Sequence, residues 1–400
     1  MTARRLLLLA LIATSLLSRT TIAAPATSMP RAFTADAKKD AARVAANAKE
    51  HIGDSPDDAG SIATDLSPAI TRPAVLAAMR KVADREISNY QPYFANSWTW
   101  CTLYAGLIAT SQASGDAKYE TPLLAVAEKY QWKLGRRLEH ADDHCIGQVY
   151  LDLYFEHSDP KMVGPTRAQF DQLIAKGGEN KWTWCDALFM GPPIWARLAK
   201  ASGERKYIDY MNTNWWRTTD LLYDRDEHLF FRDAKFILRR DEKGRKVFWS
   251  RGNGWVMGGL ARVLQYLPAD HSDRPKYIAM MNEISKRLLP LRDDQGLWHA
   301  SLLDPNTFNL PETSGSALIL YGMAWGVNNG VLNRATYEPA IEKGWKGLLS
   351  HVYADGRLGC VQQTGDAPAL YKPTASWNYG VGGFLLAGSE LQKLASAKDR

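Results

Sequence analysis

Long apolar runs are almost absent from this 400-residue chain. The one candidate, residues 6–17, is shorter than the roughly 20 residues a membrane-spanning helix needs. It follows Arg4-Arg5 and precedes the small-residue stretch Thr21-Ile22-Ala23, the pattern of a secretory signal peptide. The mature chain is therefore expected to begin near Ala24 and to work in the periplasm or medium, without membrane contact after cleavage. Cysteine is scarce as well. Cys101, Cys145, Cys185 and Cys360 form no CxxC pair and no Cys/His cluster with zinc spacing, so no metal is expected. Three of the four sit in Trp-rich or apolar motifs, which favours buried free thiols over disulfides. Charge of one sign is also lacking: losing three arginines and no acid with residues 1–23 takes the formal +6 to +3. With no Lys/Arg run, nucleic acid is excluded as a partner. There is no GxSxG elbow, P-loop, GxGxxG or HExxH, which argues against nucleotide, flavin or haem. Sustained apolar/polar alternation is missing too, apart from short candidate strands such as 229–231 and 247–249.

What is present is aromatic surface and helical periodicity. Fourteen Trp and seventeen Tyr in a nearly neutral chain suit either sugar stacking or a large helical core. Residues 24–73 hold one weakly amphipathic stretch, 35–52, and a polar linker. From Pro73 onward, Val75, Met79, Val82 and Ile87 recur at helical spacing. The segments 100–111, 119–138, 146–156, 186–201, 253–266, 276–289, 315–327, 336–351 and 380–396 also read as helices. A loose turn repeat punctuates them: Ser114-Gly115, Ser202-Gly203 and Ser272-Asp273, each closely followed by Lys-Tyr, with weaker copies at Ser158-Asp159 and Asn333-Arg334. The expectation is a mostly α chain of helical hairpins, with functional loops at the end away from these turns. Such hairpins can close into an (α/α)6 barrel.

Four motifs carry candidate chemistry. In Trp182-Thr183-Trp184-Cys185-Asp186, the acid stands among aromatic and apolar neighbours with no base nearer than Lys181. It is either a capping Asp flanked by core tryptophans or a desolvated carboxyl that holds its proton, as a general acid must. In His140-Ala141-Asp142-Asp143-His144, the two acids either cap the next helix or partner Asp186. In Ser250-Arg251-Gly252-Asn253-Gly254-Trp255, the arginine either braces core aromatics or clamps a carboxylate beside a stacking ring. Pro311-Glu312-Thr313-Ser314-Gly315 reads as a helix cap. Trp98-Thr99-Trp100 and Trp377-Asn378-Tyr379 line a pocket or fill the core.

Taken in order, with the closing Gly380-Val381-Gly382-Gly383-Phe384 segment, these motifs resemble glycoside hydrolase family 105, the unsaturated rhamnogalacturonyl hydrolases, and the related family 88. The resemblance runs from about Trp98 to Leu394. It implies an (α/α)6 barrel and a hydrolase, without metal or cofactor, that acts on an unsaturated oligosaccharide left by a polysaccharide lyase, as in pectin degradation. It also implies Asp186 as the general acid and then base, and Asp143 as the second acid, with Asp142 one residue away. Trp184, Arg251, Trp255, Trp100 and His144 are the expected substrate contacts. Arg232, in Leu229-Phe230-Phe231-Arg232-Asp233, stands where some members of the family carry a pocket histidine. The rival readings are an inverting glycosidase, a lyase or an epimerase on the same barrel, and an oligosaccharide-binding protein without catalysis.

Overall fold

Glycine, asparagine and proline break the apolar helices at regular intervals, and the breaks decide how the chain folds back. Gly115 (φ 69°), Ser158 (φ 56°) and Gly203 (φ 73°) each end a helix in the left-handed conformation. Asn333 starts another by accepting from the Thr336 amide. The expected turn repeat is thus a set of helix stops. The computed structural model describes residues 31–177 and 182–398, so the expected signal peptide lies outside the described residues.

Thirteen helices carry the architecture: α1 (Ala37–Lys49), α2 (Arg72–Tyr90), α3 (Trp98–Ser114), α4 (Thr121–Lys129), α5 (Ile146–His157), α6 (Gly164–Lys176), α7 (Pro192–Ser202), α8 (Lys206–Leu222), α9 (Ser250–Leu264), α10 (Arg274–Leu288), α11 (Thr313–Asn328), α12 (Arg334–Leu349) and α13 (Asn378–Lys398). The odd-numbered helices from α3 to α13 each pack on the next, and α13 closes on α3. This is a ring of six inner helices. The even-numbered helices, α2 to α12, form the outer layer, and the fold is an (α/α)6 barrel. Sequence chemistry assigns the layers. α9 is buried at every position, as a helix surrounded by neighbours must be, whereas α6 buries only Thr166, Phe170 and Leu173. All four cysteines are buried and free.

Some expected elements differ. The helix expected over 119–138 stops at Lys129, because Gln131 and Trp132 take positive φ. The segment 186–201 is broken at Gly191 ahead of α7. The outer helix α6 was not among the expected segments, its narrow apolar face being diluted by polar residues, whereas α8 begins at the Lys206-Tyr207 turn where the repeat places a helix start. Leu229–Phe230 does form a strand, paired with Tyr223–Asp224, but 247–249 contributes only a single bridge, Trp249 to Ser301. The segment 31–73 does not stand apart. Arg31–Ala32 pairs with Arg239–Arg240 and Gly53–Asp54 with Ser376–Trp377. α1 grips the loop before α13, through Arg43 on Asp366 (2.6 Å) and Asp40 on the Leu370 amide (2.9 Å).

The ring closes tightly because glycines let backbones meet. A Cβ on Gly382 would lie 2.2 Å from the Thr102 carbonyl oxygen, whereas one on Gly383 would meet only side chains, those of Leu318 at 3.2 Å and Ala317 at 3.5 Å. Gly382→Ala should therefore cost roughly 1–3 kcal/mol of stability by overpacking. Gly383→Ala should be neutral or gain up to about 1 kcal/mol of helix propensity. Urea unfolding of the two variants checks this; equal effects would contradict the packing account.

Candidate active site

Each inner helix is entered from a loop that follows an outer helix, so six such loops gather at one end of the barrel. The loop before α7 supplies Asp186. A backbone pairing fixes it there: Trp184 bridges Asp233, and the Cys185 amide donates to the Arg232 carbonyl (2.9 Å). The Asp186 side chain makes no capping bond to the short helix Ala187–Met190, so the capping alternative falls away. Instead Arg232 Nε donates to its Oδ2 at 3.1 Å, and Oδ1 is buried without a hydrogen-bond partner. Burial raises the Asp186 pKa, against the lowering pull of Arg232 and then Arg251.

The second acid in this electrostatic neighbourhood is Asp142, not the expected Asp143. Asp142 stands in the short helix Ala141–His144, which packs on Ala187–Met190. Its pKa is pushed up to about 7, first by burial and then by the charge of Asp186. Asp143 is turned to Arg137, accepting from its amide (2.7 Å) and from Nη2 (2.6 Å). Burial would raise the Asp143 pKa, but these bonds hold it below the ordinary carboxylate value. Adjacent residues in a single helical turn point to different sides, and a short motif does not say which side faces inward.

The other expected contacts divide in two. Trp184 is half-buried and tilts against His140, ring centroids 4.8 Å apart. Arg232 is 22 % exposed and also donates to Asp233 through Nη1 (2.8 Å). Arg251, Trp255, Trp100 and His144 lie in the core instead. Arg251 is 1 % exposed, between the Trp249 and Tyr379 rings, with Nη1 on the Gln362 carbonyl (2.6 Å) and Nη2 on that of Gln363 (2.8 Å). It braces the loop before α13 while its charge reaches Asp186. Trp255 packs on Phe189 and edge-on to Trp98, and Trp100 packs on Phe94 and Tyr104. His144 donates its Nε2–H to the Leu138 carbonyl (2.7 Å) among Phe170, Trp182 and Trp195. Burial pulls its pKa down to about 4, so it is neutral at pH 7. In this core, large aromatics are packing first. Glu312 does cap α11, accepting from Ser314 and Gly315, and also holds the Gln362 amide (3.0 Å). Sequence reasoning passed over His140, Arg137 and Asp233; His140 and Asp233 lay inside segments already singled out, and Arg137 carried no local signal.

The arrangement holds a desolvated acid, a second raised carboxyl and an arginine shared between two acids, which is acid–base machinery. The Glycosyl Hydrolase Family 88 profile matches residues 74–395. The chain belongs to that family. In keeping with the family, it is a glycosidase. It is 38 % identical over 333 residues to a curated protein of Formosa agariphila named unsaturated 3S-rhamnoglycuronyl hydrolase, covering 77 % of this chain and 88 % of that one. A solved family 88 glycosyl hydrolase from Bacteroides vulgatus superposes with TM-score 0.76 at 29 % identity, over 80 % of this chain and 98 % of that one. A solved structure titled as a polysaccharide lyase superposes with TM-score 0.77 at 28 % identity, over 81 % of this chain and 98 % of that one. The family profile begins after the segment that holds α1, so α1 and its grip on the loop before α13 lie outside the matched part.

The raised Asp142 pKa makes stability pH-dependent. The folded form keeps its proton up to about pH 7, whereas the unfolded form loses it near 4. Stability is full below pH 4 and falls as pH rises through 7. Asp142→Asn, which cannot ionise, should gain on wild type by on the order of 1–3 kcal/mol between pH 4 and 8, the partial exposure of the side chain being discounted. Thermal melts at the two pH values check this; a constant gap would contradict it.

Proposed function

We propose that this glycosidase releases the 4,5-unsaturated uronic acid from the non-reducing end of lyase-generated oligosaccharides by adding water across the C4=C5 double bond. The sugar next in line is taken to be rhamnose, as the name of the Formosa agariphila relative suggests, in a rhamnogalacturonan or another rhamnose-containing glycuronan. The residue 1–23 signal peptide would place this work outside the cytoplasm.

The observation that carries the reading is the setting of Asp186: buried, with a raised pKa, one oxygen on Arg232 and the other without a partner. Protonated Asp186 gives its proton to C4. The double-bond electrons form the C4–H bond and leave an oxocarbenium ion at C5. The Asp186 carboxylate then takes a proton from the water that attacks C5, so a single residue serves as acid and then base. The resulting hemiketal opens and the glycosidic bond falls apart. Asp142 holds the water or a sugar hydroxyl, and ionisation of either acid disfavours ionisation of the other. Helix N-termini also converge on this end of the ring, and their partial positive charge suits an anionic sugar. Trp184 offers a ring face to the pyranose.

The conjugated double bond absorbs in the ultraviolet, so the reaction is followed as a fall in absorbance on lyase-digested glycuronan. Asp186→Asn should lower the rate by about 10²–10⁴-fold or more, the span of general acid–base catalysis, while keeping its fold by circular dichroism. A lyase would instead create the double bond, and a rise in absorbance on undigested polymer would replace the hydrolase reading with that one.

A further inference from the structure

Arg232 stands at the junction of two tasks: it is bonded to the acid, and it is the partly exposed cation nearest to it. Its position is not an accident of side-chain rotation, because its own carbonyl holds the Cys185 amide, one residue before Asp186. Its guanidinium is divided. Nε serves Asp186 Oδ2 (3.1 Å), Nη1 serves Asp233 Oδ2 (2.8 Å), and Nη2 makes no hydrogen bond among the described residues. Asp233 is itself fixed, since its Oδ1 accepts from the Lys235 amide (2.8 Å). Asp186 is more enclosed than its partner, 9 % against 22 % side-chain exposure, so an incoming anion meets the arginine first.

We propose that Arg232 is a positioning switch that couples recognition of the sugar carboxylate to the protonation of Asp186, a role that rests on the hydration reading above. In the free enzyme the guanidinium favours ionised Asp186. A bound uronate carboxylate takes over the fork from Asp186, whose carboxyl then holds a proton from solvent beside a new negative charge. After that proton has passed to C4, the guanidinium again faces two carboxylates and steadies the regenerated Asp186 anion as it accepts the proton of the attacking water. The arginine remains charged throughout.

Other charges face this pair from every side. Arg251 acts on Asp186 from the start of α9 and Asp142 from the Ala141–His144 turn, while burial keeps the adjacent Cys185 thiol neutral. Asp366, in the loop before α13, acts on Arg232. Among the described residues, only Arg232 has both a direct bond to Asp186 and a partly exposed face, and so only it can be drawn away by a ligand.

The test compares pH profiles on an unsaturated uronide and on its methyl ester, which lacks the charge. The basic limb of kcat/KM reports Asp186 in the free enzyme, and that of kcat reports it in the complex. For wild type on the acid, the kcat limb should lie about one pH unit or more above the kcat/KM limb; on the ester the two should coincide. In Arg232→Met the kcat/KM limb should rise to meet that of kcat, and the preference for acid over ester should fall at least tenfold. Arg232→Lys, which keeps a point charge without the fork, should retain part of both effects. Coincident limbs for wild type on the acid, or an equal gap on the ester, would overturn the switch, even if Arg232→Met does not fold. A merely structural arginine would lower kcat on both substrates and move no limb. Absence of double-bond loss by wild type would overturn the hydration reading instead.

Discussion

The closure of six inner helices into one ring constrains everything else in this protein. Because each inner helix follows an outer one, all six enter the ring from the same end, and the loops that lead into them must meet there. Residues as distant in sequence as Asp142, Asp186, Arg232, Arg251, Glu312 and Gln362 become neighbours by topology alone. The closeness of that ring, with the Thr102 carbonyl set against Gly382 and the Leu188 carbonyl against Gly259, removes slack from the loops. The Asp186 turn cannot drift, since Leu188 is pinned two residues further on.

On this rigid base the site is arranged by unequal exposure. Arg251 is sealed beneath the loop it braces and contributes only its field. Arg232 reaches the surface, held between Asp186 and Asp233. The two raised acids, Asp186 and Asp142, oppose one another with arginine charge nearby, so the set titrates as a unit and not residue by residue. In a site built this way each added or removed charge shifts the proton that the two acids compete for. Sensitivity to the charge of the sugar follows from the same arrangement. α1 touches this arrangement at its edge, because its Arg43 pairs with Asp366, which lies within the field of Arg232.

Much of this was legible in the sequence where local chemistry alone decided the outcome. Gly115 and Gly203 announced helix ends because only a left-handed residue stops a helix there cheaply. The apolar setting of Asp186 announced a desolvated acid. What the sequence concealed was direction. Asp142 and Asp143 are adjacent and chemically identical, and their roles separate only when Arg137, five or six residues earlier, claims one of them. Arg251 and Trp255 belong to one of the motifs that carry the family resemblance, yet their side chains hold the loop and core. Motif membership does not distinguish a group that touches substrate from one that shapes the wall behind it. The polar outer helix α6 escaped notice because a helix that covers an already closed ring needs only a narrow apolar face.

The central claim is that the bond-making step occurs at C4 of the unsaturated sugar and not at its anomeric carbon. Secondary kinetic isotope effects on kcat/KM, with deuterium at C4 or at C1, test it most directly. Protonation takes C4 from planar to tetrahedral, so an inverse effect at C4 with none at C1 is the predicted result. A normal effect at C1 with none at C4 would mean direct cleavage of the glycosidic bond and would contradict the account.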